Sequence, residues 1–198
     1  LGGATSEGGN LYAWLQDTLR LPEPEALEAE LAALPPDSHG LTVLPFVAGE
    51  RSPGWAGDVR ATIHGLGLSS APAQIVRACL ESVAYRFALI FAQLDAAGTG
   101  APAGEARIIA SGGALLSSPA WMQIVADALG RAVVASDEQE ATSRGVALLA
   151  LEALGAITAP EQLPAALGTT YTPDPERHAI YRAAIERQQN LYQRFYAS

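Results

Sequence analysis

RIIASGGALLSSPAWMQIVADALG, residues 107–130, combines a short apolar run, a pair of glycines and the start of a helix. Ile108 and Ile109 are β-branched residues in a run too short for a helix, which favours a buried strand. Gly112 and Gly113 end that strand, because glycine can adopt positive φ and has no Cβ to keep a ligand away from the main chain. This stretch therefore predicts a strand followed by a turn that a ligand can approach.

The helix after the glycines has a well-marked beginning. Ser118 is a candidate N-cap, and Pro119 suits the first helical position, where its missing N–H costs nothing. The free N–H groups at such an end favour anions. Strand, glycine pair and helix together indicate a phosphate or nucleotide edge, and a plain strand-to-helix turn is the alternative.

Composition limits the classes of protein that this chain can belong to. Its 198 residues are 49% hydrophobic, enough for one globular domain or two small ones. A net charge of −9 argues against nucleic acid as a partner, since phosphate-backbone binding needs a basic patch. No apolar stretch is long enough to cross a membrane, so we expect no membrane association.

Single residue types add further limits. Cys79 is the only cysteine, which excludes a disulfide within the chain and fits a reducing cytoplasm. The three histidines lack the paired spacing of a zinc site, so we expect no metal ligands here. Lysine is absent, so any bound anion must be met by arginine, backbone N–H groups or a metal. The chain begins at Leu1 and its only methionine is Met122, so we expect a piece of a longer product.

Hydrophobic periodicity predicts an α/β architecture. The expected strands cover residues 41–47, 107–110 and 132–135, and a loop covers 48–57. The first expected helix begins near Leu11. The others cover residues 22–40, 72–97, 119–129, 138–154 and 174–196. Of these, we expect 22–40 to be acidic and solvated, 72–97 to be central to the core, 138–154 to be buried with Gly145 permitting close packing, and 174–196 to be polar. A turn is expected at 98–104. Three strands make a thin sheet, so we expect earlier strands or another chain to cover its bare edge.

Several side chains outside the glycine turn admit two interpretations. Glu50 and Arg51 could form a local ion pair that fixes their loop, which we favour over a role in domain closure or near a substrate. Trp55 could pack under this loop or face a cleft. Glu81, in an otherwise apolar helix, is either a buried partner for an arginine or a surface residue.

Four separated motifs, in this order, carry a family resemblance. They are LPFVAGERSPGWAGDVRATIHGLGL, RACLESVAY, ASGGALLSSPAWMQIVADALGRAVV and EATSRGVALLAL. Together they resemble the C-terminal domain of the FGGY family of carbohydrate kinases, with gluconate kinases nearest and xylulose kinases next. The likeness spans nearly the whole chain, residues 1–198.

The resemblance implies one half of a two-domain enzyme with the actin-like, ribonuclease-H-like ATPase fold: a central sheet with helices packed on it, here without its first strands. It implies that ATP, with Mg²⁺, donates its γ-phosphate to a sugar or sugar-acid hydroxyl, with gluconate favoured and xylulose or another ketose or polyol next. The alternative is a non-catalytic actin-like module that binds nucleotide or serves assembly. Its implied partners are the small-molecule sugar, ATP or ADP, and an N-terminal domain of the same protein; a homodimer stays open.

The resemblance also assigns site residues. The glycine pair with Ala114 corresponds to residues near the adenosine and α-phosphate, and Ser117 to a residue near adenine. Gly9 corresponds to a glycine that contacts a phosphate, and Gly145 to one in a helix beside the nucleotide pocket. The implied nucleotide-binding residues are therefore Gly9, Gly112, Gly113, Ala114, Ser117 and Gly145.

The family's catalytic aspartate, which acts as general base on the sugar hydroxyl, belongs upstream of Leu1, as does its Gly-Thr phosphate loop. We therefore expect no catalytic residue in this chain. Phosphoryl transfer requires both positioning and charge neutralisation, so we expect the isolated chain to be inactive.

Overall fold

A computed structural model of the chain describes residues 2–98, 107–138 and 140–196. Helices and short strands alternate along these residues. The helices are α1 (Gly9–Thr18), α2 (Pro24–Ala33), α3 (Pro72–Ala96), α4 (Gly113–Leu116), α5 (Pro119–Leu129), α6 (Ala141–Ala153) and α7 (Pro175–Tyr196). The strands are β1 (Thr42–Leu44), β2 (Thr62–His64), β3 (Ile108–Ala110), β4 (Val133–Ser136) and β5 (Leu167–Tyr171). The predicted α/β class is confirmed.

The strands form two small sheets. β1 pairs antiparallel with β2, while β4 lies between β3, which runs parallel to it, and β5, which runs antiparallel. The sequence predicted strands at the positions of β1, β3 and β4 but not at those of β2 or β5. The strand expected over 41–47 is shorter, because only Thr42–Leu44 pairs with β2. β3 stands at the edge of its sheet.

α3 occupies the centre of the core, as its periodicity predicted. Every residue from Val76 to Arg86 is buried, so this part of the helix is covered on all sides. α5 packs against it, and the indole N–H of Trp121 donates to the Leu80 carbonyl at 3.1 Å. Cys79 and Met122 are fully buried in the same core, as expected.

The predicted start of α5 is also confirmed. Ser118 is its N-cap and accepts a hydrogen bond from the Trp121 N–H at 3.1 Å, with Pro119 as the first helical residue. Gly130 ends the helix at φ 64, a left-handed conformation that favours glycine. Sequence alone therefore located both ends of this helix correctly.

Four expectations about burial are wrong. α2 is not merely a solvated element, because Leu27 and Leu31 are buried on α3 and α5. α6, expected to be buried, has no buried residue; Val146 is 64% exposed. Ile109 is 49% exposed because β3 is an edge strand with an uncovered face. Glycine at position 145 is not needed for close packing, since a Cβ there would meet nothing within 4 Å.

Two further observations complete the fold. Apart from Gly98, the turn predicted at 98–104 lies outside the described residues. Among the residues that the structure describes, no helix is both long enough and apolar enough to span a bilayer.

Candidate functional site

The glycine pair forms an exposed main-chain turn between β3 and α4. Gly112 has φ 108 and ψ 129, a conformation that side-chain-bearing residues rarely adopt, whereas Gly113 begins α4. The sequence predicted a helix only from Pro119, so this one-turn helix directly after the glycines was missed. A Cβ on either glycine would meet nothing within 4 Å. The main chain at this turn is therefore open to a ligand.

A cavity of about 250 Å³ lies at this turn, and we call it the glycine cavity. Its lining comprises Gly8, Gly9, Phe87, Trp121 and residues 111–115. A Cβ built on Gly9 would lie 3.6 Å from the Ala114 Cβ, so the first residue of α1 faces α4 directly. The structure thus brings together Gly9 and the turn at 112–114, which are a hundred residues apart in sequence.

The electrostatics of the glycine cavity come from the main chain, since none of its lining side chains is charged. α1 begins there with Gly8 as N-cap and no side-chain cap from it; the Asn10 side chain accepts instead from the N–H groups of Gly8 and Leu11. The remaining N–H groups of a first helical turn lack intrahelical partners and carry partial positive charge. Such an end can hold an anion without lysine.

The other two predicted site residues lie outside the glycine cavity. Gly145 lines a neighbouring cavity of about 380 Å³ that shares Ser111 with the glycine cavity. Ser117 lines neither; its hydroxyl donates to the Ala114 carbonyl at 3.0 Å and closes α4. Arg144, beside Gly145, is held by the Glu138 carboxylate at 2.9 Å. The six predicted residues therefore divide into a group of four, one neighbour and one residue with a structural hydrogen bond.

Glu7, which directly precedes the N-cap Gly8 of α1, was not among the residues predicted from the sequence. Its side chain is buried, and its Oε1 atom has no hydrogen-bond partner among the described residues. Burial raises the pKa of this carboxyl, although the backbone N–H groups of Glu7 and Ser6 and the charge of Arg86 oppose the shift. Nothing in the polar run SEGGN distinguishes a buried carboxyl from a solvated one, so no sequence signal pointed to it.

Glu50 does not pair with Arg51, contrary to the expected local ion pair. The Glu50 carboxylate is buried and binds Arg86 of α3, 36 residues away. Arg51 instead lies over the ring of Trp55, which is 65% exposed. The loop is therefore fixed by a long-range contact that local spacing could not reveal.

A second buried charged cluster surrounds Glu81, which is a partner for an arginine, one of its two predicted alternatives. Arg77 donates to Glu81 Oε1 at 2.8 Å, and His39 Nε2 lies 2.9 Å from Oε2. Because the Leu41 N–H donates to His39 Nδ1 at 3.0 Å, the ring proton must sit on Nε2 and point at the carboxylate.

Asp37, His39 and Glu81 place ligand atoms within 4.8 Å of one another, a spacing that a metal ion could use. However, the hydroxyls of Tyr181 and Tyr85 also donate to the Glu81 oxygens, at 2.9 and 3.2 Å. The carboxylate is thus already saturated with donors. The arrangement is that of an ion-pair network within the core.

Comparison with known proteins identifies the family. Residues 1–154 match the family model described as the FGGY family of carbohydrate kinases, C-terminal domain. A glycerol kinase of Acidovorax sp. (strain JS42) is 37% identical over 166 residues, which cover 82% of this chain and 33% of that protein. A gluconokinase of Bacillus subtilis (strain 168) is 31% identical over 198 residues, 93% of this chain and 38% of that protein.

A solved structure agrees with these sequence matches. The crystal structure of xylulose kinase from Rhodospirillum rubrum superposes with a TM-score of 0.82 at 29% identity, covering 98% of this chain and 39% of that chain. The chain thus spans between a third and two fifths of the length of these relatives. FGGY kinases have the actin-like ATPase fold that the sequence motifs implied. With that fold and a family match over residues 1–154 of 198, the chain belongs to the FGGY family of carbohydrate kinases, to its C-terminal domain.

Proposed function

We propose that this chain is the ATP-binding lobe of a carbohydrate kinase that acts in the cytoplasm. One observation carries the proposal: Gly9, Gly112, Gly113 and Ala114, from two distant parts of the chain, line one open cavity. The start of α1 gives this cavity a positive main-chain end, which suits the phosphates of a nucleotide. The adjacent cavity at Gly145 extends the same surface through Ser111 and offers room for the rest of the nucleotide.

The chemistry of the reaction divides between two domains in this proposal. Phosphoryl transfer needs a bound nucleotide, a neutralising Mg²⁺ and a positioned acceptor hydroxyl. The glycine cavity accounts for the nucleotide alone, because it has no charged side chain for a metal or an acceptor. An N-terminal domain of the same protein would supply the general base and the Gly-Thr phosphate loop. We therefore infer that this chain binds ADP or ATP but does not turn over by itself.

For the acceptor we infer a hydroxyl of a sugar acid, a sugar or a polyol. The similarity to the gluconokinase covers 93% of the chain, whereas the glycerol kinase has the higher identity, 37% against 31%, over a shorter range. Gluconate is therefore the first substrate to test in the complete protein. Glycerol and xylulose follow.

Nucleotide binding is tested by calorimetric titration of the chain with ADP and Mg²⁺. Gly113→Leu is the informative variant, because a Cβ there meets nothing and the side chain would extend into the glycine cavity. We expect at least tenfold weaker ADP binding with an unchanged circular dichroism spectrum. Gly67→Leu is the matched control, since this glycine also has open space around its Cβ but lines no cavity near the turn. Equal ADP affinity in a folded Gly113→Leu protein would refute the assigned contact.

A further inference from the structure

A larger cavity lies between α3, the C-terminal half of α7 and the loop at 50–54, and we call it the α3–α7 cavity. Its volume is about 480 Å³, within the roughly 300–1,000 Å³ of small-molecule pockets. It shares no lining residue with the glycine cavity. The nucleotide proposal therefore leaves this cavity without a role.

The floor of the α3–α7 cavity is a buried ion pair. Glu50 and Arg86 are each 3% exposed and form an ion pair. The Tyr192 hydroxyl donates to Glu50 Oε2 at 2.6 Å, and the Arg86 guanidinium lies 5.6 Å from the centre of the Tyr192 ring. Arg86 Nε has no hydrogen-bond partner in the described part of the chain. The one cation of the floor is thus already paired with a carboxylate, which leaves no excess positive charge to attract an anion.

The rim of the cavity is built from glutamine side chains. Gln93 of α3 and Gln189 and Gln193 of α7 are exposed at its edge. Among the described residues none of these three amides has a hydrogen-bond partner. Each amide offers both donors and an acceptor, which is what a hydroxyl group requires because it donates and accepts at once.

The rest of the lining, which we call the wall, is apolar. Leu89, Ala92 and Ala96 of α3 form it together with Pro53 of the loop. A polyhydroxyl compound presents hydroxyls at its edges and C–H groups on its faces, so amides at the rim and alkyl groups on the wall match it on both counts. An anionic ligand would need an excess of positive charge, which the Glu50–Arg86 pair does not provide.

We propose that the α3–α7 cavity is a binding site for a neutral polyhydroxyl compound, a polyol or an uncharged sugar, separate from the nucleotide site. The proposal does not rest on nucleotide binding. Because α7 and the loop at 50–54 both contribute to the floor, a ligand here would tie the C-terminal helix to that loop.

The test is NMR titration of the ¹⁵N-labelled chain with xylitol and with glucitol. We expect saturable shifts, in the millimolar range, in the side-chain amide signals of Gln93, Gln189 and Gln193. Gluconate, the anionic counterpart of glucitol, should bind at least fivefold more weakly. Shifts that do not saturate, or gluconate binding as tight as glucitol binding, would overturn the proposal.

Variants locate the binding in the cavity. The double variant Gln189→Ala, Gln193→Ala should bind glucitol at least fivefold more weakly, and Ala92→Trp, which fills the cavity from an exposed position, should abolish binding. Gln16→Ala on the exposed face of α1 is the matched control and should bind as the wild type does.

ADP binding separates this proposal from the preceding one. The double variant should keep the wild-type affinity for ADP, and Gly113→Leu should keep the affinity for glucitol. Unchanged glucitol affinity in the folded double variant contradicts the polyhydroxyl site, whereas loss of ADP binding in Gly113→Leu bears on the nucleotide site alone.

Discussion

Replacing Glu81 with glutamine tests the buried network that joins α3 to α7. The substitution keeps the size of the side chain and removes its charge. Glu81 is 0% exposed, and its carboxylate receives the Arg77 guanidinium at 2.8 Å and the Tyr181 hydroxyl at 2.9 Å on one oxygen. On the other oxygen it receives His39 Nε2 and the Tyr85 hydroxyl. In glutamine one of these two oxygens is replaced by an N–H₂ group, which is itself a donor and cannot accept the hydrogen bonds of the pair it faces.

The expected decrease in the free energy of unfolding follows from the loss of the ion-pair partner of Arg77. Its guanidinium is 4% exposed, so without Glu81 this buried cation has no ion-pair partner among the residues that the structure describes. Breaking one side of a buried ion pair costs about 3–5 kcal/mol. Since whole domains are stable by only about 5–15 kcal/mol, we expect the Glu81→Gln chain to lose a large share of its free energy of unfolding.

Lowering the pH should reduce the difference in free energy of unfolding between the wild type and Glu81→Gln. Burial by itself raises the pKa of Glu81, but the hydrogen bond from His39 and the charge of Arg77 outweigh it, so the pKa lies below the ordinary value of 4.5. A carboxyl with a depressed folded-state pKa stabilises the fold above its unfolded pKa and loses that contribution as pH falls through the folded pKa. The wild type therefore loses this stabilisation below about pH 4.5, while Glu81→Gln has none to lose.

Urea denaturation followed by circular dichroism at pH 7 and at pH 4 measures both effects. Glu186→Gln, on the exposed side of α7, is the matched control and should change the free energy of unfolding by less than about 0.5 kcal/mol. A loss below about 1 kcal/mol for Glu81→Gln at pH 7 would refute the reasoning, because Arg77 would then not depend on the carboxylate.

Three further outcomes are expected. Ser118→Ala removes the N-cap that accepts from the Trp121 N–H, so the free energy of unfolding should fall by about 1 kcal/mol in urea titrations. Gly130→Ala forces a Cβ onto a residue at φ 64 and to within 2.6 Å of the His178 ring, so thermal unfolding should show a loss of at least about 1–2 kcal/mol. Burial raises the pKa of the Cys79 thiol to about 12, so Ellman's reagent at pH 8 should label it only after denaturation, and rapid native labelling would contradict its burial.

The parts of the fold that sequence predicted are those set by local chemistry. Ser118 and Pro119 begin α5 and Gly130 ends it, because caps and left-handed glycines act within one turn of the chain. The apolar residues of α3 recur at helical spacing, which indicates a helix that packs into the core. Gly112 adopts positive φ, as the strand-to-helix turn required.

The wrong predictions share one physical cause. Whether a residue is buried, and which charge it pairs with, depends on the distant segments that pack against it. α6 is as apolar as a core helix, yet it has no buried residue, because little of the described chain packs on it. Ile109 has the composition of a buried strand residue but lies on an edge strand. Glu50 was assigned its sequence neighbour Arg51 as a partner, whereas the fold places Arg86 next to it.

The sequence by itself determined the α/β class, the family and the residues of the glycine turn, since these depend on local backbone preferences and on ordered motifs. Only the tertiary structure decided which of the six predicted site residues share a cavity: it joins Gly9 to the turn at 112–114, places Gly145 in a neighbouring cavity and gives Ser117 a structural hydrogen bond. It also buried Glu7, and it buried Glu50 and Glu81 together with their arginine partners. Local preferences act over a few residues, whereas a shared cavity or a buried ion pair depends on the packing of segments far apart in the chain.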